Sequence, residues 1–265
     1  MPSLSFILRY FRYLHKSVTA HGLHSPYMYQ LMTEVIEKST SRQDVMLPEQ
    51  LRKKLLASKE KIQVTDLGGG SHFTRSDWRQ LRLLARYSGR RPGPGKLLFR
   101  LVKHFNPDVV LELGTSLGIG SLYLKAALPS ARIVTIEGCP NIARLARRNI
   151  SESGASDVEV IEGAFDIVLT SDFIKRLNPR MILFDGNHRK APTIDFFNRL
   201  ADVATSETVL IFDDIHWSEE MEEAWESIKA DERVRVTIDL FIFGVVLFRK
   251  EMSKQHFVLR NWDCF

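Results

Sequence analysis

The chain has 265 residues, enough for one full domain with an extension, and its 44% hydrophobic content excludes a disordered chain. Two cysteines, Cys139 and Cys264, are too few for a disulfide framework or a multi-cysteine metal site, and they favour a reducing compartment, by default the cytoplasm. The longest apolar run, residues 240–248, is too short to span a bilayer, and the start of the chain lacks the features of a signal peptide, so we expect no transmembrane segment.

The net charge of +5 is unevenly distributed along the chain. Residues 1–100 hold 18 basic and 7 acidic residues and are therefore at +11, which leaves the remainder at −6. Such asymmetry is typical of a protein that binds an anionic partner, such as nucleic acid or a membrane surface. It is also expected if a basic extension docks on the protein's own acidic body. We favour this second interpretation without excluding the first.

The first hundred residues have the apolar spacing of helices. Ser25 has the position of an N-cap, and Asp77 that of a possible cap for the fourth helix. The segment SGRRPGPG, residues 88–95, then interrupts the pattern with the composition of a linker. We therefore predict a helical extension over residues 1–94, acting as a lid, a substrate-binding region or an oligomerisation region, and a second domain over residues 95–265. The four expected helices lie at residues 6–14, 26–36, 48–56 and 77–87.

Beyond residue 95 short apolar strands alternate with helical stretches. This alternation predicts an α/β fold with a parallel sheet covered on both faces, because parallel strands need crossover connections. Two further apolar runs, residues 234–240 and 241–248, lie close together and predict an antiparallel hairpin at the edge of that sheet. The other strands are expected at residues 109–113, 132–137, 158–163, 180–186 and 208–214.

Two glycine-rich stretches could hold a nucleotide-like ligand. Such a site needs a strand, a glycine turn, a helix and then a second strand that ends in an acid. The stretch VVLELGTSLGIGSLYL, residues 109–124, satisfies each requirement, since the next strand ends at Glu137. The stretch VTDLGGGSHF, residues 64–73, lacks the second strand and its acid. We interpret Asp66–Phe73 either as a turn that closes over the acceptor side of the site or as a plain surface loop.

The turn ELGTSLGIG, residues 112–120, resembles the first motif of class I, Rossmann-like S-adenosylmethionine-dependent methyltransferases. From about Gly95 onward the sequence is similar to small-molecule O-methyltransferases related to catechol O-methyltransferase and to a bacterial group that carries DGNH. The resemblance implies a Rossmann-like methyltransferase fold with a seven-stranded mixed sheet, and S-adenosylmethionine as cofactor. It implies that the cofactor is bound by Glu112, Gly114, Thr115, Gly118, Gly120, Glu137, Gly163, Ala164 and Phe165.

Acids stand at the ends of the fourth and fifth predicted strands. FDGNH contains Asp185 and His188, and IFDDIHW contains Asp213 and Asp214. Carboxylates at neighbouring strand ends can converge and suit a hard cation such as Mg²⁺. The resemblance implies that Asp185, Asp213 and Asp214 bind Mg²⁺ or another divalent cation, with Asp185 also catalytic, and that His188 is the general base. Alternatively, the acids cap the following helices, and the histidine is an ordinary solvated side chain.

The acceptor is less well defined than the cofactor. Weaker candidates for substrate contact are His72, His216 and Trp217, the last of which either covers the substrate or packs against the next helix. We predict methylation of a hydroxyl group on a small molecule, assisted by a divalent metal and the histidine base. The alternatives are an RNA or protein methyltransferase that uses the basic extension, and a non-catalytic cofactor-binding protein. Nucleic acid is a less favoured partner, because FDGNH stands where many amino-group methyltransferases of nucleic acid carry an NPPY-like tetrapeptide.

An aromatic and basic stripe occupies the first predicted helix. Its members are compatible with a membrane surface. We favour a subunit interface, and hence a possible homodimer, or a lid over the substrate pocket. The stripe consists of Phe6, Arg9, Tyr10, Arg12 and Tyr13.

Overall fold

The computed structural model describes residues 4–65 and 77–263, which form two compact units. The terminal unit combines the chain up to Lys38 with the chain from Arg180 onward, and the middle unit begins at Ser39 and ends at Pro179. Residues 1–94 are thus divided between the two units. Asp66–Phe73, which includes His72, and Cys264 lie outside the described residues, so the lid interpretation of the first glycine stretch stays a prediction.

The described chain is mostly helical before residue 92, largely alternates helices and strands up to α11, and ends with three strands. None of its helices combines the length and the apolar content needed to cross a membrane. The helices are α1 (Leu4–Lys16), α2 (Pro26–Leu31), α3 (Met46–Ala57), α4 (Leu81–Tyr87), α5 (Pro92–Phe105), α6 (Ile119–Ala127), α7 (Pro140–Glu152), α8 (Phe165–Val168), α9 (Ser171–Leu177), α10 (Lys190–Ala201) and α11 (Glu219–Ala230), with a 3₁₀ turn at Ala20–Gly22 and a π-helical turn at Met32–Ile36. The strands are β1 (Lys61–Gln63), β2 (Trp78–Gln80), β3 (Val109–Leu113), β4 (Arg132–Glu137), β5 (Glu159–Glu162), β6 (Met181–Phe184), β7 (Val209–Asp213), β8 (Val236–Asp239), β9 (Phe243–Leu247) and β10 (Gln255–Val258).

The middle unit contains the first three predicted strands as a parallel group. β3 pairs with β4 and β4 with β5, so that Glu137 at the end of β4 lies opposite Glu162 at the end of β5. The interior of β3 and the flanking helices α5 and α6 are buried and largely apolar. β1 and β2 form a separate antiparallel pair. The parallel group therefore aligns the carboxyl ends of three strands, which is where a ligand binds in this kind of sheet.

The terminal unit contains the remaining five strands, in the order β10-β8-β9-β7-β6. β6 and β7 are parallel, and β9 runs antiparallel to both β7 and β8, which confirms the predicted C-terminal hairpin. β10 adds a strand parallel to β8, so these two groups hold eight strands where seven were predicted. The sequence did not reveal β10 because its four residues are partly or fully exposed and lack an apolar run.

Three local expectations from the sequence have clear outcomes. The hydroxyl of Ser25 accepts a hydrogen bond from the amide of Met28, so the predicted cap of α2 is confirmed. The fourth helix does not begin at Asp77, because residues 78–80 pair with β1 before the helix starts. The predicted linker at residues 88–95 is wrong in its second half: Pro92 begins α5, since a proline in the first helical turn needs no amide donor.

Candidate functional site

The turn after β3 depends on residues in the left-handed backbone region. Gly114 and Gly118 have φ angles of 111° and 85°, and Ser116 between them has a φ of 48°. A side chain at Gly118 would also lie 2.8 Å from Cγ1 of Ile150. Glycine is therefore required there for both backbone and space. The amide of Gly114 donates to a carbonyl of β4 at 3.0 Å, which fixes the turn against the second strand.

Glu112 is fully buried in β3 and is held by hydroxyl groups. Its Oε2 accepts hydrogen bonds from Ser121 and, at 2.7 Å, from Thr135. The hydroxyl of Thr135 also lies 2.7 Å from that of Thr115, and Gly120 is buried in the first turn of α6 beside Ser121. The second carboxylate oxygen, Oε1, is buried without a hydrogen-bond partner in the described parts of the chain. Buried polar atoms usually have a hydrogen-bond partner, so a ligand group that reached Oε1 would satisfy it.

The protonation of Glu112 follows from this environment. Burial raises the pKa of Glu112 to about 7, although the hydrogen bonds from Ser121 and Thr135 favour the charged form. A carboxyl group of this kind is close to half ionised at neutral pH. A positive charge on a bound ligand would favour the ionised form, so this group suits a cationic ligand.

Glu137, the last residue of β4, organises the loops on both sides of it. Its Oε2 accepts a hydrogen bond from the amide of Ser116, and its Oε1 accepts one from the amide of Cys139, both at 2.9 Å. Burial raises the pKa of Glu137 in spite of these hydrogen bonds. Each oxygen keeps a second lone pair, so the carboxylate can still accept hydrogen bonds from two ligand hydroxyls.

The segment after β5 lies next to the end of β4. The amide of Gly163 donates to the carbonyl of Glu137 at 3.0 Å, and a side chain on Gly163 would lie 2.7 Å from Cγ2 of Val168. Ala164 is the N-cap of α8, and Phe165 is its first residue; both are partly exposed. The middle unit thus brings together the nine residues that were predicted to bind the cofactor.

The predicted acids of the terminal unit do not cap helices. Asp185 follows β6, Asp213 ends β7 with 7% of its surface exposed, and Asp214 comes next. The N-cap of α10 is Arg189, and the N-cap of α11 is Ser218, whose hydroxyl accepts the capping hydrogen bond. The helix-cap alternative therefore does not account for these three aspartates.

The loops that carry these acids have unusual backbone conformations. Asn187 has a φ of 61° and Asp214 a φ of 55°, and neither is a glycine. The amide of Asp214 donates to the carbonyl of Ile242 at 2.7 Å, and Oδ1 of Asn187 accepts from Arg189 at 3.2 Å. His188 lies between Asn187 and Arg189 and is partly exposed. Left-handed non-glycine residues persist where the surrounding structure holds them, and they cluster at functional loops.

The three aspartates do not form a ready cation site. Within residues 4–65 and 77–263, no three His, Cys, Asp or Glu side chains are grouped so that they could hold a metal ion. A divalent ion such as Mg²⁺ needs several oxygen ligands at about 2.0–2.1 Å. The arrangement therefore does not fit a bound cation. A metal role for Asp185, Asp213 and Asp214 stays a prediction from the resemblance.

His216 is held by two carboxylates rather than facing outward. Its Nδ1 lies 2.7 Å from Glu222, and its Nε2 lies 2.9 Å from Asp239. The ring stacks on Phe241 with centroids 5.2 Å apart. Burial alone would lower the pKa of His216, but the hydrogen bonds and charges of Asp239 and Glu222 raise it to about 9. Since both ring nitrogens are engaged, the contacts favour a structural role over substrate contact. Trp217 remains 48% exposed.

Sequence reasoning missed several residues that shape these sites. Thr135, Ser121 and Ser116 join Glu112 and Glu137 to the glycine turn, and Asp239 and Glu222 hold His216. Ser121 and Ser116 lie inside or beside the glycine motif, so their positions carried a usable signal. Asp239 is 23 residues from His216. No local pattern joins two such distant residues.

Comparison with known proteins finds a matching family model and several similar relatives. A family model described as a methyltransferase domain matches residues 111–215. Catechol O-methyltransferase B of Danio rerio is 38% identical over 85 residues, which are 31% of this chain and 30% of that protein. Catechol O-methyltransferase of Niastella koreensis is 28% identical over 127 residues, 47% of this chain and 57% of that protein. The chain therefore matches less than two thirds of the length of either relative.

A solved structure extends the similarity to most of the chain. The O-methyltransferase from Bacillus cereus in complex with SAH has a TM-score of 0.53 and 19% identity. The match covers 83% of this chain and 97% of that one. At this identity the likeness establishes the fold alone.

Proposed function

We propose that this chain methylates a hydroxyl oxygen of a small molecule with S-adenosylmethionine. Residues 111–215 match a methyltransferase domain, and the chain has the Rossmann-like fold of class I O-methyltransferases. The observation that carries the proposal is the pair of carboxylates, Glu112 and Glu137, arranged around one glycine turn. Glu112 has a buried carboxylate oxygen without a hydrogen-bond partner among residues 4–65 and 77–263, and Glu137 is fixed by two backbone amides. This donor set suits a ligand that has both a cationic part and a ribose diol.

We assign the cofactor contacts from the resemblance and from the chemistry of these residues. Glu112, Gly114 and Thr115 would hold the methionine part, Gly118 and Gly120 shape the turn, and Glu137 would accept hydrogen bonds from the ribose hydroxyls. The segment Gly163, Ala164 and Phe165 would contact the adenine. When bound, S-adenosylmethionine supplies a methyl group on a positively charged sulfur.

The acceptor needs a base, because a neutral hydroxyl is a poor nucleophile. In the proposed reaction the acceptor oxygen forms a bond to the methyl carbon, and the carbon–sulfur bond breaks. His188 takes the proton of the hydroxyl. Asp185, in the same loop after β6, contributes to catalysis beside His188. Correct positioning of the two reactants contributes much of the rate.

The proposed reaction contains no metal-dependent step, because the described acids do not form a cation site. The predicted need for Mg²⁺ can be decided with the active protein, by adding a chelator and then excess Mg²⁺. Loss of transfer with EDTA and recovery with Mg²⁺ would establish a metal requirement, and loss of that response in Asp213→Ala would support Asp213 as a ligand. Unchanged transfer would remove the metal from the mechanism.

The proposed activity can be tested with purified protein and S-adenosylmethionine labelled in its methyl group. We expect label in at least one member of a panel of catechols, other phenols and sugars. Label only in RNA or protein would favour the alternative enzyme classes. Failure to bind S-adenosylmethionine in calorimetry would rule out each enzymatic proposal and leave a non-catalytic protein.

His188→Ala should lower kcat by about 100-fold once an acceptor is known, because general-base catalysis contributes roughly 10²–10⁴-fold. The cofactor dissociation constant should be unchanged, since His188 belongs to the acceptor side of the proposal. His256→Ala is a matched control, because His256 bonds to Thr237 in the β8–β10 pair. Equal loss of activity in both variants would contradict a base role for His188.

Cofactor affinity should rise with pH in a way that depends on Glu112. The pKa of Glu112 is raised to about 7, so its carboxyl gains negative charge between pH 6 and pH 8. We expect S-adenosylmethionine to bind up to about tenfold tighter at pH 8 than at pH 6, through attraction between this charge and the sulfonium. Calorimetry at both pH values measures the effect.

The control for this pH effect uses the variant Glu112→Gln and the product S-adenosylhomocysteine, which keeps the amino group but lacks the sulfonium charge. In the wild type, the affinity for S-adenosylmethionine should depend on pH more strongly than the affinity for S-adenosylhomocysteine. Glu112→Gln cannot gain the negative charge, so this difference between the two ligands should disappear. An equal pH dependence in the wild type and in Glu112→Gln would assign the titration to another group.

A further inference from the structure

Helix α1 packs its inner face on the terminal unit through aromatic side chains. Phe6, Tyr10 and Tyr13 surround the ring of Phe241, with centroid distances of 5.2, 4.9 and 5.3 Å. The hydroxyl of Tyr13 also donates to the carbonyl of Leu259. These contacts hold α1 rigidly by one side. They also determine which of its side chains face away from the protein.

The opposite side of α1 is apolar and exposed. Leu4, Ile7, Leu8 and Phe11 are 74%, 37%, 56% and 62% exposed. Their spacing of i, i+3, i+4 and i+7 places them on one helical face, which we call the outer stripe. Single exposed apolar side chains are common, but four on one face of one helix form a patch that marks an interaction surface.

The outer stripe is accompanied by basic residues. Arg12, His15 and Lys16 are exposed in the same helix, which contains no acidic residue. Glu222, in α11, lies 3.3 Å from Arg9 and 3.9 Å from Arg12. Glu222 is also bonded to the positively charged ring of His216, so its charge is compensated. The exposed face of α1 is therefore apolar and cationic.

Two exposed tryptophans stand near the ends of the helix. Trp217 is 6.1 Å from Phe6, near the start of α1. Trp262 is 71% exposed and stacks with Arg260, whose guanidinium donates to the carbonyl of Leu14 at 2.8 Å. Tryptophan is favoured at a membrane–water interface, because its ring is apolar and its N–H is polar.

We propose that the outer stripe of α1 docks on an anionic lipid surface. In that arrangement the helix would lie in the plane of the membrane, with Leu8 and Phe11 among the acyl chains and Arg12 and Lys16 at the lipid headgroups. Apolar burial and attraction to anionic lipid act together in such helices. The inner aromatic contacts keep the catalytic body attached to the docked helix.

The charge pattern favours a lipid surface over a second copy of the chain. A two-fold contact through the outer stripe would bring the same face of both copies together. Such a contact would bring the basic side chains of both helices close together, and neither helix contains an acidic residue to offset their charge. Anionic lipid supplies the opposite charge. This conclusion differs from the sequence-based preference for a subunit interface or a lid.

The proposal can be tested by flotation of the full chain with vesicles. Vesicles of phosphatidylglycerol and phosphatidylcholine should carry the wild-type protein, whereas vesicles of phosphatidylcholine alone or a high salt concentration should not. Phe11→Asp and the double variant Arg12→Glu, Lys16→Glu should each reduce the bound fraction at least about tenfold. Thermal melting checks that each variant remains folded.

Matched controls carry the same changes elsewhere on the surface. Ile167→Asp alters an exposed apolar residue of α8, and the double variant Lys175→Glu, Arg176→Glu reverses two exposed charges of α9. Both controls should bind vesicles as the wild type does. The proposal is overturned if the wild type does not float, if the controls lose as much binding as the α1 variants, or if Phe11→Asp converts a dimer in solution to monomers.

Discussion

Glu137→Ala should weaken the binding of S-adenosylmethionine by at least about 100-fold, measured by calorimetry. The carboxylate of Glu137 accepts the amides of Ser116 and Cys139 at 2.9 Å each. One of these amides belongs to a residue held at a φ of 48° in the glycine turn. Removal of the carboxylate should therefore release the turn, and it also removes the proposed acceptor for the ribose hydroxyls. Hydrogen bonds to a charged group contribute about 1.5–3 kcal/mol each, so the loss of the two proposed hydrogen bonds from the ribose hydroxyls accounts for the effect.

The neighbouring strand supplies the control for this prediction. Glu162 lies opposite Glu137 in the pairing of β4 with β5, but its side chain is exposed and paired with Arg147. Glu162→Ala should leave cofactor affinity within about twofold of the wild type, as expected for a surface ion pair. If Glu137→Ala binds the cofactor normally, the ribose assignment and the proposed site are both wrong.

His216→Ala should reduce the free energy of unfolding by about 3 kcal/mol near neutral pH. The imidazolium of His216 lies between Glu222 and Asp239, and only 14% of its side chain is exposed. Its removal takes the cation away from the largely buried Asp239 and leaves Glu222 with Arg9 and Arg12, and loss of one partner of a buried ion pair is costly. It also removes the ring that stacks on Phe241, beneath the aromatic contacts of α1. Urea unfolding at pH 7 measures the loss.

The pKa of His216 predicts how the free energy of unfolding depends on pH. Its carboxylate partners raise the pKa of His216 in the folded state to about 9, above the ordinary histidine value of 6.5. A group with a raised pKa stabilises the fold fully below its unfolded pKa, and this contribution is lost as the pH rises through the folded pKa. The wild type should therefore lose about 3 kcal/mol of stability between pH 6.5 and pH 9 relative to His216→Ala.

His256→Ala provides the comparison for both effects. His256 lies 2.8 Å from the hydroxyl of Thr237, and burial lowers its pKa. We expect a change in stability of about 1 kcal/mol or less, with no loss specific to the range above pH 7. If the unfolding free energies of the wild type and His216→Ala change in parallel from pH 6.5 to pH 9, the charged state of His216 is wrongly assigned.

The cofactor side of the fold was predictable because its signals are local. The strand over residues 109–113, the glycine turn and the acid that ends β4 lie within 29 residues of one another, and the structure has both strands at the predicted bounds. Gly114 and Gly118 have positive φ angles, which is the physical reason why glycine marks such a turn. Cytoplasmic location, metal dependence and the identity of the acceptor have no comparable local signal and stay predictions.

The sequence by itself determined the alternating strands and helices over residues 109–214, the C-terminal hairpin and the residues of the glycine turn, because each depends on spacing along the chain. Only the tertiary structure decided the partners of charged and aromatic groups far apart in sequence. It placed His216 between Glu222 and Asp239, packed Phe6 and Tyr10 against Phe241, and left the outer stripe exposed. The helical pattern of α1 predicts two apolar faces equally well. Which of the two faces is buried depends on Phe241, more than two hundred residues away in the sequence.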